Sequence, residues 1–253
     1  MALIKKAAEI EKMRIAGQIL AAVAKEVRAA VKVGATLRAL DDLARQLIIK
    51  AGGEPAFLGY QPHGAAKPYP ATICTSVNEV IVHGLPTDYV IKNGDVVKVD
   101  FGVRYQGYYS DAAWTIGVGG LSDRAKKLIL ATEEVLEIAI QEVKPSNTIG
   151  DIGYAINTYI IKKGFKVVKG LTGHSIGSKL HEEPSVFNEG KKGAGMRLEP
   201  GMAIAIEPMV SAGTAQLVQR EDDSYATADG SVSAHFEHTV LITKDGCEVL
   251  TRN

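Results

Sequence analysis

Four segments of the chain place apolar side chains about every 3.6 residues, which is the spacing of an amphipathic α-helix. In the first segment these positions include Met13, Leu20 and Val27. A threonine or serine, both good helix N-caps, precedes each of the other three segments, and glycines mark the ends of the second and fourth. The predicted helices are residues 1–31, the segment from Thr36 to Gly52-Gly53, the segment from Ser122 to residue 143, and the segment from Thr148 to Gly164.

Six shorter segments are rich in β-branched residues or alternate between apolar and polar positions, which is typical of β-strands. Glycine and proline separate these segments from one another. They cover residues 96–103, 108–118, 165–168, 202–206, 215–219 and 233–242. Helices and strands in this mixture predict an α/β (α+β) fold.

The segment that begins at Val31 resembles the segment that begins at Val143, 112 residues later. Both carry an N-cap threonine, apolar residues at matching positions and a glycine at the end. Two amphipathic helices with similar caps can look alike by chance. We favour a duplicated unit of two helices followed by strands, with halves of about 1–120 and 121–253 related by a pseudo-twofold axis.

Composition excludes several classes of protein. Lys plus Arg and Asp plus Glu each number 29, so there is no net charge to attract nucleic acid or a membrane surface. Cys74 and Cys247 are too few for a disulfide framework or a four-cysteine metal site. The chain shows no signal-peptide pattern and no apolar run of about 18 residues. We therefore expect a soluble, cytoplasmic protein.

Two aspartates lie on neighbouring predicted strands. Asp100 is in VVKVDFGV and Asp111 is in GYYSDAAWT, on either side of a predicted hairpin at Gln106-Gly107. A lone aspartate in such a strand is usually a solvated surface residue. Antiparallel pairing can bring the two side chains together, however, and carboxylates so placed repel each other unless a cation or proton lies between them.

Three more candidate ligands follow: His174 in GLTGHSIGSKLHEEP, Glu207 in AIAIEPMV and Glu237 in AHFEHTVLIT. A lone histidine is more often a core or surface residue than a ligand. Glu207 ends an apolar strand, where a buried charge needs a partner, either a metal or an arginine such as Arg197 or Arg220. Together the five residues suit two adjacent divalent cations and a hydrolase better than a closed structural zinc site. The remaining alternative is an α/β domain whose acids are structural.

Six motifs occur in order along the chain: VNEVIVHGLP, VVKVDFGV, YYSDAAWT, TGHSIGSKLHEEP, IAIEPM and HFEHTVLIT. Together they resemble the type I methionine aminopeptidases over residues 4–250. The resemblance implies one catalytic metallopeptidase domain over residues 1–253 with the pita-bread fold, in which pseudo-twofold helix-helix-strand units surround a curved antiparallel sheet. It also implies removal of the N-terminal methionine from nascent proteins with a small second residue, by attack of a metal-bridging hydroxide on the first peptide bond.

The same resemblance implies a role for each metal ligand. Asp100 would chelate one divalent metal, His174 and Glu207 would chelate the other, and Asp111 and Glu237 would bridge the two. Glu207 would also shuttle a proton as a catalytic residue.

The resemblance further implies two catalytic, substrate-binding histidines. His181 would hydrogen-bond the scissile carbonyl oxygen or the oxyanion it becomes, and His83 would contact the scissile amide nitrogen. The two metals would be Mn, Fe or Co, with Zn also compatible. A monovalent cation near Asn78, Val80 and Ser233 would also fit the family.

The match to the family is looser in the pocket for the methionine side chain. Members usually bring two aromatic residues together there, and Tyr60 and Tyr69 are the candidates in this chain. The connection 61–68 (QPHGAAKP) is longer than we expect; it is either a lid or, as we favour, a surface insertion. Cys74 and Leu180 are the other predicted wall residues, and Leu180 stands where an aromatic residue is common.

Two rival functions share the fold. Xaa-Pro aminopeptidases and prolidases have the same five-ligand centre, but residues 1–50 are too few for the N-terminal domain that they usually carry. Non-catalytic pita-bread binding proteins typically lack metal ligands that this chain retains. We therefore expect an aminopeptidase that acts on the N-termini of nascent polypeptides, with transient ribosome proximity, as a monomer.

Overall fold

The helices of the protein begin and end close to the capping residues that the sequence predicts. The computed structural model describes residues 3–61 and 67–252. Within them, Thr36 Oγ1 accepts a hydrogen bond from the N–H of Ala39, and Ser122 Oγ accepts one from the N–H of Ala125. The helices are α1 (Ala7–Ala30), α2 (Leu37–Lys50), α3 (Asp123–Gln141) and α4 (Ile149–Lys162).

The prediction of a helix over residues 1–31 is wrong at its start. Helix α1 begins at Ala7, because Lys6 has an extended backbone (φ −76°, ψ 159°) and is its N-cap. The Lys6 N–H donates to Glu9 Oε2 over 2.7 Å, which satisfies a group that the helix itself leaves free.

All six predicted strand segments contain strands, but eight other strands of the described residues, seven of two to four residues and one of six (Glu182–Phe187), were not predicted. The segment 233–242 is two strands, separated at Phe236. Within the described residues the strands are β1 (Glu54–Pro55), β2 (Cys74–Val77), β3 (Val80–Val82), β4 (Val96–Tyr105), β5 (Tyr108–Gly117), β6 (Lys166–Val167), β7 (Thr172–Ser175), β8 (Glu182–Phe187), β9 (Ala203–Ile206), β10 (Met209–Ser211), β11 (Leu217–Gln219), β12 (Tyr225–Thr227), β13 (Ser233–His235), β14 (Glu237–Ile242) and β15 (Cys247–Val249).

The main sheet is antiparallel and has the order β1-β4-β5-β14-β9-β7-β8, with β2 also paired to β4 and β15 to β14. Two three-stranded sheets, β13-β10-β6 and β11-β12-β3, adjoin it. The hairpin predicted at Gln106-Gly107 joins β4 to β5, and both residues have the left-handed φ (47° and 85°) that two-residue hairpin turns require. The prediction of a mixed α/β fold with an antiparallel sheet is confirmed.

One hydrophobic cluster joins the four helices to the main sheet. Leu20, Leu40, Leu128 and Ile156, one from each helix, belong to this cluster together with Phe101 of β4, and all five side chains are almost fully buried. Burying a side chain of this size contributes about 1.5–3 kcal/mol. Since side chains alternate along a strand, the residue before Phe101 projects from the other face of the sheet, away from the helices.

The offset of the sequence repeat reappears in the elements. Helices α2 and α4 begin at Leu37 and Ile149, which are 112 residues apart. Gly52 and Gly164 follow the two helices at the same offset, with left-handed φ of 81° and 78°. The predicted duplication therefore corresponds to equivalent helices in the two halves.

No helix in the described ranges has both the length and the apolar composition that a membrane-spanning segment needs.

A buried ion pair ties the N-terminal segment to β8. Lys5 Nζ lies 2.6 Å from Glu182 Oε2, and each side chain is only 4% exposed. We expect Lys5→Met to lower the free energy of unfolding by about 3–5 kcal/mol, because it leaves a buried carboxylate without its cation. The urea midpoint measures the loss. Arg38→Met removes the exposed ion pair with Asp88 and should cost less than about 1 kcal/mol; equal losses in the two variants would contradict the prediction.

Candidate metal centre

Three adjacent strands place two of the predicted metal ligands in one row. Asp100 of β4 lies directly opposite Ala113 of β5, and Ala113 lies directly opposite Glu237 of β14. Directly opposite residues project from the same face of a sheet. Because the alanine between them is small, the two carboxylates face each other across it.

Asp111 belongs to the same face, one step along β5. Its partner on β4 is Gly102, and a Cβ at that position would lie 3.4 Å from Asp111 Oδ1. Asp111 is therefore a diagonal neighbour of Asp100, close enough for their carboxylates to interact.

The next two strands of the sheet bring the remaining predicted ligands. Glu207 directly follows β9, and His174 of β7 pairs with Ala205, two residues before Glu207. Consequently His174 Nε2 lies 3.7 Å from Glu207 Oε1. The structure thus gathers on one face all five residues that the sequence predicts as ligands.

Four carboxylates are buried together in this centre. Asp100, Asp111 and Glu237 are at most 8% exposed, and the Glu207 side chain is 12% exposed. Burial raises the pKa of Asp111 to about 7. Burial and the neighbouring acids raise the pKa values of Asp100, Glu207 and Glu237 well above the usual range.

The carboxylates lack the partners that would make them a structural cluster. Within the described residues, Asp100 Oδ1, Asp111 Oδ1 and Glu237 Oε1 are buried without a hydrogen-bond donor. Neither Arg197 nor Arg220 forms an ion pair with Glu207 there, and Arg220 instead contacts Glu79 over 2.7 Å. Buried anions without partners are costly, so the centre is suited to hold cations.

His174 presents a free nitrogen to the centre. Its Nδ1–H donates to the carbonyl oxygen of Ser175 over 3.0 Å, because a carbonyl can only accept. The lone pair is then on Nε2, on the side of Glu207. A backbone acceptor that holds the tautomer in this way is characteristic of metal-binding histidines.

His235 is a residue of the centre that the sequence reasoning missed. Its Nε2 lies 3.5 Å from Glu207 Oε2 and 3.9 Å from Glu237 Oε2, and both ring nitrogens are buried without a hydrogen-bond partner. Two groups therefore have the spacing of metal ligands: Asp111 with His174 and Glu237, and Glu207 with His235 and Glu237. Its place two residues before Glu237, on the same face of an extended segment, was the available signal.

Two more of the predicted histidines border the centre. The ring of His181 lies 4.3 Å from that of His174, and its Nδ1 is 2.6 Å from the Tyr60 hydroxyl. Although part of His181 is exposed, desolvation of its ring, with smaller contributions from His174 and His83, lowers its pKa to about 3. His83 follows β3 with a left-handed φ of 61°.

The predicted pocket residues lie beside these histidines. The Tyr69 N–H donates to the Tyr60 carbonyl over 2.8 Å, so the two tyrosines meet despite the long connection between them. Cys74 lies directly opposite Asp100 on β2, and Leu180 directly precedes His181 and is 1% exposed. The choice between a lid and a surface insertion concerns residues 62–66, which lie outside the described residues.

The Lys98 ammonium contacts two of the three residues, Asn78 and Ser233, near which the resemblance implies a monovalent cation. Lys98 Nζ is 2.6 Å from the carbonyl oxygen of Asn78 and 3.3 Å from both the carbonyl oxygen and Oγ of Ser233. Burial lowers the pKa of Lys98 to about 7, while hydrogen bonds to three oxygens favour its protonated form.

The arrangement of side chains limits the reactions that the centre can support. Carboxylates and imidazoles on one face can hold adjacent divalent cations, and neutral histidines at its border can donate hydrogen bonds to a bound carbonyl. Such an arrangement is suited to hydrolysis of an amide or ester.

Residues 11–244 match metallopeptidase family M24. The methionine aminopeptidase of Aquifex aeolicus is 47% identical over 249 residues, covering 96% of each chain. The crystal structure of methionine aminopeptidase from Thermotoga maritima is 44% identical, with a TM-score of 0.95 over 99% of each chain. The Xaa-Pro dipeptidase from Bacillus anthracis is 26% identical with a TM-score of 0.79, and the match covers 99% of this chain but 62% of the dipeptidase.

Proposed function

The chain belongs to metallopeptidase family M24, and from this premise we propose that it is a metal-dependent aminopeptidase that removes the N-terminal methionine from polypeptides. Similarity to methionine aminopeptidases over nearly the whole chain supports this function. The observation that carries it is the buried centre, in which oxygens of three carboxylates lack a hydrogen-bond donor beside His174.

We assign the metal ligands as the sequence resemblance does: Asp100, Asp111, His174, Glu207 and Glu237. The unpartnered oxygens of Asp100, Asp111 and Glu237 and the mixed oxygen and nitrogen donors of the whole set fit two divalent cations, Mn, Fe or Co, with Zn also compatible. When bound in such a site, divalent cations polarise a carbonyl and lower the pKa of a coordinated water.

Residues of the centre and its border have further roles in the proposed reaction: hydrogen bonding to the carbonyl oxygen, contact with the amide nitrogen, and proton transfer. His181 is neutral at neutral pH, and with Tyr60 hydrogen-bonded to its Nδ1 it can donate from Nε2 to the scissile carbonyl oxygen. His83 would contact the amide nitrogen. Glu207, whose side chain is more exposed (12%) than that of Glu237 (3%), is the carboxylate better able to exchange a proton with the substrate.

The substrate is a polypeptide with methionine at its N-terminus. Tyr60, Tyr69, Cys74 and Leu180 would form the wall of the methionine pocket, and the second residue would be small. Nascent polypeptides would then be the partners of the protein. In that role it would act as a cytoplasmic monomer that comes close to ribosomes transiently.

The proline-directed alternative is not favoured. The Xaa-Pro dipeptidase from Bacillus anthracis has the same fold, but it is less similar in sequence and more than a third of it lies outside the match. The methionine aminopeptidases of Aquifex aeolicus and Thermotoga maritima match 96% and 99% of this chain. A shared fold does not by itself specify a substrate, whereas sequence similarity over the whole chain favours the methionine enzymes.

Metal add-back after chelation tests the function. The stripped protein is loaded separately with Mn, Fe, Co or Zn and assayed on Met-Ala-Ser, Leu-Ala-Ser and a Met-Pro peptide. We expect metal-dependent release of methionine, with kcat/KM for Met-Ala-Ser about 10–200-fold above Leu-Ala-Ser, the range that an apolar pocket can discriminate. Equal rates on the methionine and leucine peptides would refute the pocket assignment, and inactivity with every metal would refute the enzyme.

A further inference from the structure

Lys98 carries a buried cation that is held by oxygens of neutral groups. The residue is 1% exposed, and its ammonium contacts the carbonyl oxygen of Asn78 and both oxygens of Ser233. The Ser233 hydroxyl is itself within donating distance of the carbonyls of Asn78 (3.1 Å) and Val80 (3.2 Å), so its lone pairs are free to face Lys98. Three acceptors thus match the three N–H donors of an ammonium group.

In the described ranges no carboxylate forms an ion pair with Lys98. The two acids whose charges act on Lys98 are engaged elsewhere. Glu79 pairs with Arg220 over 2.7 Å, and Asp95 accepts hydrogen bonds from Asn78 Nδ2 and the Tyr89 hydroxyl. A buried cation is costly without compensation. Here peptide carbonyls provide it, as they do for alkali-metal ions in proteins.

We propose that the Lys98 ammonium is a built-in monovalent cation, which replaces a free alkali-metal ion between Asn78 and Ser233. A free ion does not fit this place, because the ammonium already contacts oxygens of Asn78 and Ser233, two of the three residues that would bind it. A second positive charge beside it would also be repelled strongly in a buried environment.

The tethered cation links two segments that lead to the metal centre. Asn78, with a left-handed φ of 55°, forms the turn between β2 and β3, and His83 directly follows β3. Ser233 begins β13, which leads to His235 and Glu237. Lys98 is itself two residues before Asp100 on β4. It is therefore a positioning residue that joins β4 and β13 to the turn between β2 and β3 without contacting the substrate.

Thermal unfolding in different salts tests the proposal. Protein loaded with Mn is melted in NaCl, KCl or tetramethylammonium chloride at equal ionic strength. The native protein should melt at the same temperature in all three, since its cation is covalently attached. Lys98→Ser opens space for an ion; its melting temperature should fall by at least about 4 °C in tetramethylammonium chloride and recover partly in NaCl or KCl.

Two further variants separate charge from packing. Lys98→Met fills the space without charge, so it should melt lower than the native protein and respond equally to the three salts. Lys191→Ser removes an exposed lysine and should leave both the melting temperature and its salt response unchanged.

Two outcomes would overturn the proposal. A melting temperature of the native protein that rises selectively with Na⁺ or K⁺ would mean that a free ion binds as well. A Lys98→Ser variant that melts lower but shows no selective response to Na⁺ or K⁺ would mean that the ammonium serves only to fill space. A separate failure of methionine release would leave this result unaffected, because the readout is stability.

Discussion

Asp111→Asn should abolish most of the activity while making the metal-free protein more stable. Loss of an outer partner of a metal ligand typically costs 10–100-fold in activity or metal affinity, so loss of a ligand itself should reduce methionine release by more than about 100-fold. In the absence of metal and above about pH 7, the same change removes the buried negative charge of Asp111. The expected result is therefore a higher melting temperature without metal and a smaller increase on adding Mn.

The raised pKa values determine whether the stability of the metal-free protein rises or falls with pH. Burial raises the pKa of Asp111 to about 7 in the folded protein, whereas an unfolded aspartate titrates near 3.9. Its protonated form thus supports folding below about pH 4, and that contribution is lost as pH rises through about 7. The metal-free protein should lose stability over this range, by a few kcal/mol in order of magnitude, and Asp111→Asn should lose less.

A matched substitution outside the centre provides the control. Asp41 accepts hydrogen bonds from the N–H groups of Thr72 and Ile73, so its carboxylate already has donors. Asp41→Asn should give no gain in stability without metal. Urea unfolding of the chelated proteins between pH 4 and 8 measures both variants. A metal-free Asp111→Asn protein that is less stable than the native protein at pH 8 would contradict the prediction.

His181→Ala should lower kcat by about 100–1000-fold, the usual cost of removing a donor to a developing oxyanion. The side chain is the border histidine whose Nδ1 is 2.6 Å from the Tyr60 hydroxyl. Because His181 is not an assigned ligand, the increase in melting temperature on adding Mn should be the same as in the native protein. Steady-state kinetics on Met-Ala-Ser and thermal unfolding with and without Mn measure the two effects.

Tyr60→Phe should lower kcat less than His181→Ala does. It removes the hydroxyl that orients the imidazole and leaves the ring in place, so kcat should fall by less, about 10-fold, in line with the loss of one net hydrogen bond. If His181→Ala instead abolished the response of the melting temperature to Mn, the histidine would be a ligand and the assignment to the carbonyl oxygen would be wrong.

The helices could be predicted from local sequence because their ends depend on nearby atoms. Thr36 and Ser122 cap helices by hydrogen bonds to residues three positions ahead, and Gly52 and Gly164 adopt the left-handed φ that glycine favours. The strands β1, β2 and β7 have only two to four residues. They were not predicted, because so short a segment carries too little alternation and its pairing partner is distant in the chain.

Lys98 shows why burial could not be deduced from the pattern around it. A lysine between Val97 and Val99 indicates a solvent-exposed position in a one-sided strand. The structure buries it because the turn at Asn78 and the start of β13 at Ser233 cover that face. Both segments are remote in sequence, so no local signal marked the site.

The sequence by itself determined the helices, the family resemblance and the residue types of the centre, because capping, periodicity and motifs are properties of short segments. Only the tertiary structure decided which side chains meet. The register of β4, β5 and β14 sets Asp100 and Glu237 on either side of Ala113, and β9 with β7 adds Glu207 and His174. Pairing between distant strands is a property of the whole chain: a shift of one residue would turn these ligands to the opposite face.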